Sequence, residues 1–221
     1  MLFRRCVRLL LSFSAWTQLG AGPRLWRRML EALRCGLLFS ALLCLGPVQA
    51  QAQKPVGVAE AAPLQDRPEV AAVRGAMPTA PVRLKVWGFE VYDARLWTPA
   101  GFRHSQYGQY PFALELQYLR KLEGAQIASR SVDEMRRLGS FTDAQAQSWL
   151  AAMRALFPNV SAGERITGVN LPGEGAEFWV NGQRVGVVKD VAFARLFFGI
   201  WLDERSSEPK MRTQLLQSLP P

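Results

Sequence analysis

From Val82 onward, apolar and polar residues alternate along the chain. Val82, Leu84 and Val86 are separated by Arg83 and Lys85, and then Phe89, Val91, Asp93, Arg95 and Trp97 interleave with Glu90, Tyr92, Ala94 and Leu96. A period of two is that of a β-strand, whose successive side chains point to opposite faces. The pattern predicts two stretches of strand with a bulge or bend at Gly88 between them. Residues 111–119 (PFALELQYL) form a further predicted strand that places Phe112, Leu114, Leu116 and Tyr118 on one face.

The period then lengthens. Over residues 123–138, Ile127, Ala128, Val132, Met135 and Leu138 recur at helical spacing, and Gly139 is the expected left-handed cap. Thr142-Asp-Ala-Gln145 is a capping-box pattern, followed by Ala146, Trp149, Leu150, Met153 and Leu156 up to Pro158. Residues 164–171 and 177–188 again read as strands, and Asn181-Gly182 is the pair favoured in two-residue hairpin turns. Asp190 is placed to cap the apolar helix VAFARLFFGIWL, with Phe193, Leu196, Phe197, Ile200 and Trp201 inward and Phe198 on another flank. Ser207-Glu208-Pro209 then opens an amphipathic helix carrying Met211, Leu215 and Leu216. Strands grouped apart from helices predict an α+β domain over residues 81–221, an antiparallel β-sheet packed on one face by helices.

The N-terminal part is different in kind. Residues 51–80 are rich in Ala, Pro, Gln and Val without sustained periodicity and read as a flexible linker. Residues 26–52 have the three parts of a secretory signal: Arg27, Arg28 and Arg34, an apolar run over 37–45, and small-residue sites ending at Ala50 and Ala52. The run is well short of the roughly twenty residues that span a bilayer, so a cleaved leader over residues 1–50 is expected, with no permanent membrane span afterwards. Met29 would begin a leader of ordinary length. The expected location is periplasmic.

Removing the leader changes the charge. Residues 1–50 hold seven of the 27 basic residues and one of the 18 acids (Glu31), leaving 20 against 17, a net charge of +3 rather than +9. The remaining charges are interspersed, which argues against a nucleic-acid partner. Cys6, Cys35 and Cys44 all fall in the leader, so thiol catalysis, disulfides and thiolate metal sites are excluded after cleavage. With His104 the single histidine, a multi-histidine metal site is excluded, a Ser/His triad would have to rest on that one residue in the loop-like Gly101-Phe-Arg-His-Ser and is not expected, and neither metal nor cofactor is expected. Gly173-Glu174-Gly175 is a turn, because Phe178 stands where a dinucleotide fingerprint needs its third glycine. The acids Glu174 and Glu177, and Asp203 and Glu204, flank turns and helix ends.

Three segments resemble the bacterial chalcone isomerase-like family: ELQYLRKLEGAQIASRSVDEMRRLG (115–139), EFWVNGQRVG (177–186) and FARLFFGIWLDERSSEPKMRTQLL (193–216). The resemblance implies an open-faced sandwich with an apolar cleft between sheet and helices, where catalytic relatives cyclise chalcones and non-catalytic ones hold fatty acids. It also implies a functional arginine ahead of the long strand, a place matched by Arg83. The catalytic threonine, tyrosine and asparagine of the enzymes match Tyr92, Glu123 and Arg130, and a small hydroxyl residue matches Ile200. None is of the catalytic type, so no catalytic residue is assigned. The expected ligand-binding set is Arg83, Tyr92, Tyr118, Phe197, Ile200 and Trp201. The favoured reading is an exported binder of a fatty acid or other apolar acid. A structural or interaction protein of the cell envelope is the alternative, and an isomerase acting on phenolic ketones is a third.

Overall fold

The computed structural model describes residues 67–221. Its centre is a seven-stranded antiparallel sheet: β1 (Met77–Pro78), β2 (Val82–Val86), β3 (Phe89–Thr98), β4 (Phe112–Tyr118), β5 (Arg165–Leu171), β6 (Gly175–Val180) and β7 (Gln183–Val188). The order is β1-β3-β4-β5-β6-β7, and β2 pairs with β3 beside β1. The helices α1 (Gly124–Leu138), α2 (Asp143–Leu156), α3 (Val191–Leu202) and α4 (Pro209–Leu216) complete the α+β fold.

Local chemistry accounts for the helix starts. The Thr142 hydroxyl accepts from the Gln145 backbone N–H at 3.2 Å while the Gln145 carboxamide accepts from the Thr142 backbone N–H at 2.9 Å, closing the expected capping box on α2. Asp190 caps α3 by accepting from the Phe193 N–H at 3.0 Å, and its second oxygen accepts from the Trp149 indole at 2.9 Å, tying α2 to α3. Pro209 opens α4, where its missing N–H costs no helical bond. The α3–α4 connection is held by the Ser206 hydroxyl donating to the Ile200 carbonyl at 2.7 Å and by Arg212 Nε donating to the Leu202 carbonyl at 2.8 Å.

The helix layer meets one face of the sheet. Val82, Ala94, Leu96, Phe112, Leu114, Leu116, Tyr118, Ile166 and Phe178 point into it, and Phe193, Phe197 and Phe198 of α3 pack on them. Gly168 on β5 is where the Phe198 and Phe178 rings come close, since an added Cβ would lie 3.1 Å and 3.3 Å from them.

Two expectations need correction. Gly139 ends α1 with φ −174°, in extended rather than left-handed backbone. Its role is steric, because an added Cβ would lie 3.0 Å from the Leu196 side chain. More consequential, the flexible linker expected over 51–80 is not flexible over residues 67–80. Pro68–Val70 forms a short 3-10 helix, and Val70, Val73 and Ala76 pack on Trp97, Ala113 and Val169, which lie on the sheet face opposite the helices. Met77–Pro78 then pairs with β3. The prolines that break helical periodicity are compatible with a strap crossing a sheet, which needs few ladder hydrogen bonds.

Beneath this strap lies a buried ionic cluster. Arg67 Nε donates to Glu115 at 2.5 Å, Arg165 Nε donates to Glu69 at 3.1 Å and lies 3.8 Å from Glu115, and the Thr167 hydroxyl donates to Glu69 at 3.3 Å. Glu69 is fully buried and Glu115 nearly so, which is tolerable only because each faces a guanidinium. The predicted leader and residues 51–66 of the predicted linker lie outside the described residues. Among the described residues, no helix is long and apolar enough to cross a membrane.

Candidate functional site

Tyr92 on β3 and Tyr118 on β4 are directly opposed across the antiparallel pair, so both phenols stand on the helix-facing side. Their rings meet edge to face at 6.1 Å between centroids. Trp201, in the last turn of α3, donates its indole N–H to the Tyr92 hydroxyl at 3.0 Å. Phe197, one turn earlier, packs on Trp201 at 5.6 Å. Ile200 is half-buried on the same helix and packs against the core. Four of the six expected residues thus form one contiguous cluster, and Ile200 adjoins it along α3.

Burial raises both phenols above their ordinary pKa, with the indole hydrogen bond opposing that rise at Tyr92 and the Tyr92 neighbour adding to it at Tyr118. Glu208 and Glu134 push Tyr92 further up, while Arg130 pulls it down. Both tyrosines therefore remain protonated, as hydrogen-bond donors, at neutral pH. Neither phenolic proton has an acceptor among the described residues. Glu134 is buried on α1 and ion-paired with Arg130 at 2.5 Å and Arg137 at 3.5 Å. This buried acid was missed from the sequence; the available signal was the four-residue spacing of Arg130 and Glu134.

Arg83 does not join the cluster. It alternates with Val82 and Leu84, which pack into the helix layer, so its side chain lies on the other face. There it makes paired hydrogen bonds to both oxygens of Asp93, at 2.8 Å and 2.9 Å, and a third to Glu90 at 2.9 Å. Those bonds, Asp93 foremost, raise the guanidinium further above its ordinary value. The expected clamp for a ligand acid is a surface ion-pair network instead.

The interior beneath α3 is closely filled. Phe157, Phe178, Phe193 and Phe197 contact one another with centroids 5.0–6.3 Å apart. Two open grooves lie elsewhere: one of about 710 Å³ beside Leu156, Pro158 and Val185, and one of about 390 Å³ beside Tyr107, Asn170 and Arg195. Neither is lined by any of the six expected residues. His104 lies half-buried in a short 3-10 segment, where burial lowers its pKa.

Residues 76–217, more than half of the chain, match the chalcone isomerase-like family throughout the sheet and all four helices. The chain belongs to the chalcone isomerase-like family. This chalcone isomerase-like protein is 33% identical over 131 residues to an uncharacterized protein of Haemophilus influenzae, a match covering 59% of this chain and 63% of that one. The chain thus spans less than two-thirds of that relative's length. In fold it is similar to the crystal structure of a fatty-acid binding protein of Arabidopsis thaliana, with a TM-score of 0.50 at 16% identity, covering 66% of this chain and 90% of that one. At that identity the likeness establishes the open-faced sandwich alone.

The positions matched to the family's catalytic residues are scattered in role. Glu123 is the exposed residue before α1 and accepts from Gln126 at 3.1 Å; Arg130 is exposed and engaged by Glu134; Ile200 carries no hydroxyl.

Proposed function

We propose that this protein is a non-catalytic binder of an amphipathic apolar acid, such as a fatty acid, that works outside the cytoplasm after removal of its N-terminal leader. The carrying observation is the cross-strand pair Tyr92 and Tyr118: two desolvated phenols whose protons have no acceptor among the described residues and which an apolar helix covers. A carboxylate is the ligand group that uses two such donors, and charge-assisted hydrogen bonds in a dry site are strong. To seat there, the apolar tail parts the packed layer at Phe197, Ile200 and Trp201, because neither open groove is lined by them. Arg130, close enough to bias Tyr92 electrostatically, supplies the countercharge once it exchanges Glu134 for the ligand. The likeness to a fatty-acid binding protein and the missing catalytic side chains support this reading over an isomerase.

The test is native mass spectrometry of the protein purified from the periplasm and titrated with palmitate. One bound fatty acid per chain is expected, with at least about tenfold weaker binding in Tyr92→Phe and Tyr118→Phe, the loss associated with one charge-assisted hydrogen bond. Equal binding by parent and both variants would overturn the site. The export half is tested by N-terminal sequencing of the same protein: a start at Gln51 or Gln53 is expected, and an uncleaved cytoplasmic chain would refute it.

The close aromatic packing between the layers favours a second reading, an envelope interaction protein with a closed interior. No fatty acid at saturating concentration, together with an envelope protein that co-purifies stoichiometrically, would select it.

A further inference from the structure

The sheet contains the same hairpin twice, with different chemistry at the tip. In β6–β7, Val180 pairs with Gln183 around the turn Asn181-Gly182, Trp179 pairs with Arg184, and a bulge follows before Phe178 and Gly186. In β2–β3, Val86 pairs with Phe89 around Trp87-Gly88, Lys85 pairs with Glu90, and a bulge follows before Leu84 and Tyr92. The backbones agree closely: φ is 50° and 82° at Asn181 and Gly182, and 56° and 83° at Trp87 and Gly88. Left-handed backbone suits Asn and Gly and opposes a bulky side chain, so tryptophan at this position is held against local preference.

The surroundings do not supply a structural reason for it. Asn181 is tied down by accepting from Arg165 N at 2.9 Å and donating to Glu164 at 3.1 Å. Trp87 makes no hydrogen bond among the described residues and is 75% exposed. Phe89, where the other hairpin has Gln183, is 62% exposed, and Val86 is 41% exposed. The result is a convex apolar tip on a two-residue turn.

Its flanks are cationic. The Arg120 guanidinium lies over the Phe89 ring at 5.1 Å, and Lys121 is exposed beside it in the chain. Neither forms an ion pair among the described residues, whereas Arg83 and Lys85 are neutralised by Glu90 and Asp93.

We propose that the Trp87-Gly88 hairpin is a membrane-contact tip that seats Trp87 and Phe89 at the interface of an anionic bilayer, with Arg120 and Lys121 against the headgroups. A bilayer is favoured over a protein because a protruding tip of three apolar residues is far smaller than the roughly 800 Å² per partner of a stable protein interface. The interfacial zone takes single aromatic residues, and basic residues beside them gain from anionic headgroups. The inference stands on the hairpin and is independent of whether the interior holds a fatty acid.

The test uses the full chain and vesicles of equal parts phosphatidylglycerol and phosphatidylethanolamine, with brominated acyl chains as a contact quencher. Fluorescence of the parent is expected to be quenched more than that of Trp87→Tyr, which isolates Trp87 from the other tryptophans and from membrane affinity of the leader. Trp87→Asn with Phe89→Gln, which rebuilds the β6–β7 turn chemistry and so folds, is expected to lower the partition coefficient about tenfold. Arg120→Ala with Lys121→Ala is expected to flatten its salt dependence. Equal quenching of parent and Trp87→Tyr overturns the proposal. So does unchanged partitioning of the double tip variant, including when that variant instead loses self-association, which would assign the tip to a protein contact.

Discussion

The Trp201 indole donates to the Tyr92 hydroxyl at 3.0 Å, joining the end of α3 to the middle of β3 across 109 residues. Among the described residues it is the one polar link between the helix layer and the long strand inside the candidate site. Its deletion leaves a buried polar group unpaired from either side. Tyr92→Phe strands a buried N–H and should destabilise the domain by about 1–3 kcal/mol, and Trp201→Phe strands the Tyr92 hydroxyl, which has no other partner among the described residues, at a similar cost plus the lost packing. A double-mutant cycle in urea should give a coupling of about 0.5–1.5 kcal/mol, and a value near zero would remove the bond from the account.

Starting the chain at residue 81, where the sequence places the domain, should fail. That truncation uncovers Trp97, Ala113 and Val169 and leaves Glu115 without Arg67. Arg67→Ala alone should cost about 3–5 kcal/mol, because it breaks a buried pair from one side. Denaturation of the full chain measures it, and limited proteolysis should then cut within residues 67–80. A loss under about 1 kcal/mol would show the cluster to behave as a surface ion pair.

Alkali should unfold the domain earlier than solvent-exposed phenols would. Tyr92, Tyr107 and Tyr118 are each raised by burial, Tyr107 to about 12, while unfolded phenols titrate near about 10. Between those values the folded state holds protons that the unfolded state has lost. The resulting stability is complete below about pH 10 and declines as pH rises through the folded values, by up to about 1.4 kcal/mol per pH unit for each group. Urea midpoints at increasing pH, followed with phenolate absorbance, test the sign: absorbance that climbs before unfolding would contradict it.

Trp87→Asn should raise stability by about 1 kcal/mol, since it relieves left-handed backbone strain while removing a side chain that is mostly exposed. A fall in the thermal midpoint would mean that Trp87 packs usefully in solution.

Much of the fold was legible in the chain because it depends on short-range chemistry. The alternation of Phe112, Leu114, Leu116 and Tyr118 assigned one face of β4, and all four reside in the helix-facing core. Thr142 with Gln145, Asp190 with Phe193, and Asn181-Gly182 each satisfy backbone groups within a few residues, and each appears where the spacing placed it. The Trp87-Gly88 turn was read as a bulge or bend because tryptophan masks a turn that the backbone nonetheless makes. The same alternation already set Arg83 opposite Val82 and Leu84; the expectation that it faced the cleft came from resemblance, and Asp93 and Glu90 hold it on the far face.

The sequence by itself determined the four helices, the strands from β2 to β7 and the family, because periodicity and capping act over one to four residues. Tertiary structure alone decided that residues 67–80 cover the second face of the sheet, that Glu69 and Glu115 share buried guanidinium partners, and that Tyr92 meets Trp201. The ion pairs and the indole hydrogen bond among those contacts join residues 48 to 109 apart along the chain. Nothing in local spacing encodes such pairs; they form because burying a charge or an N–H is costly until a partner, brought by the fold, is in place.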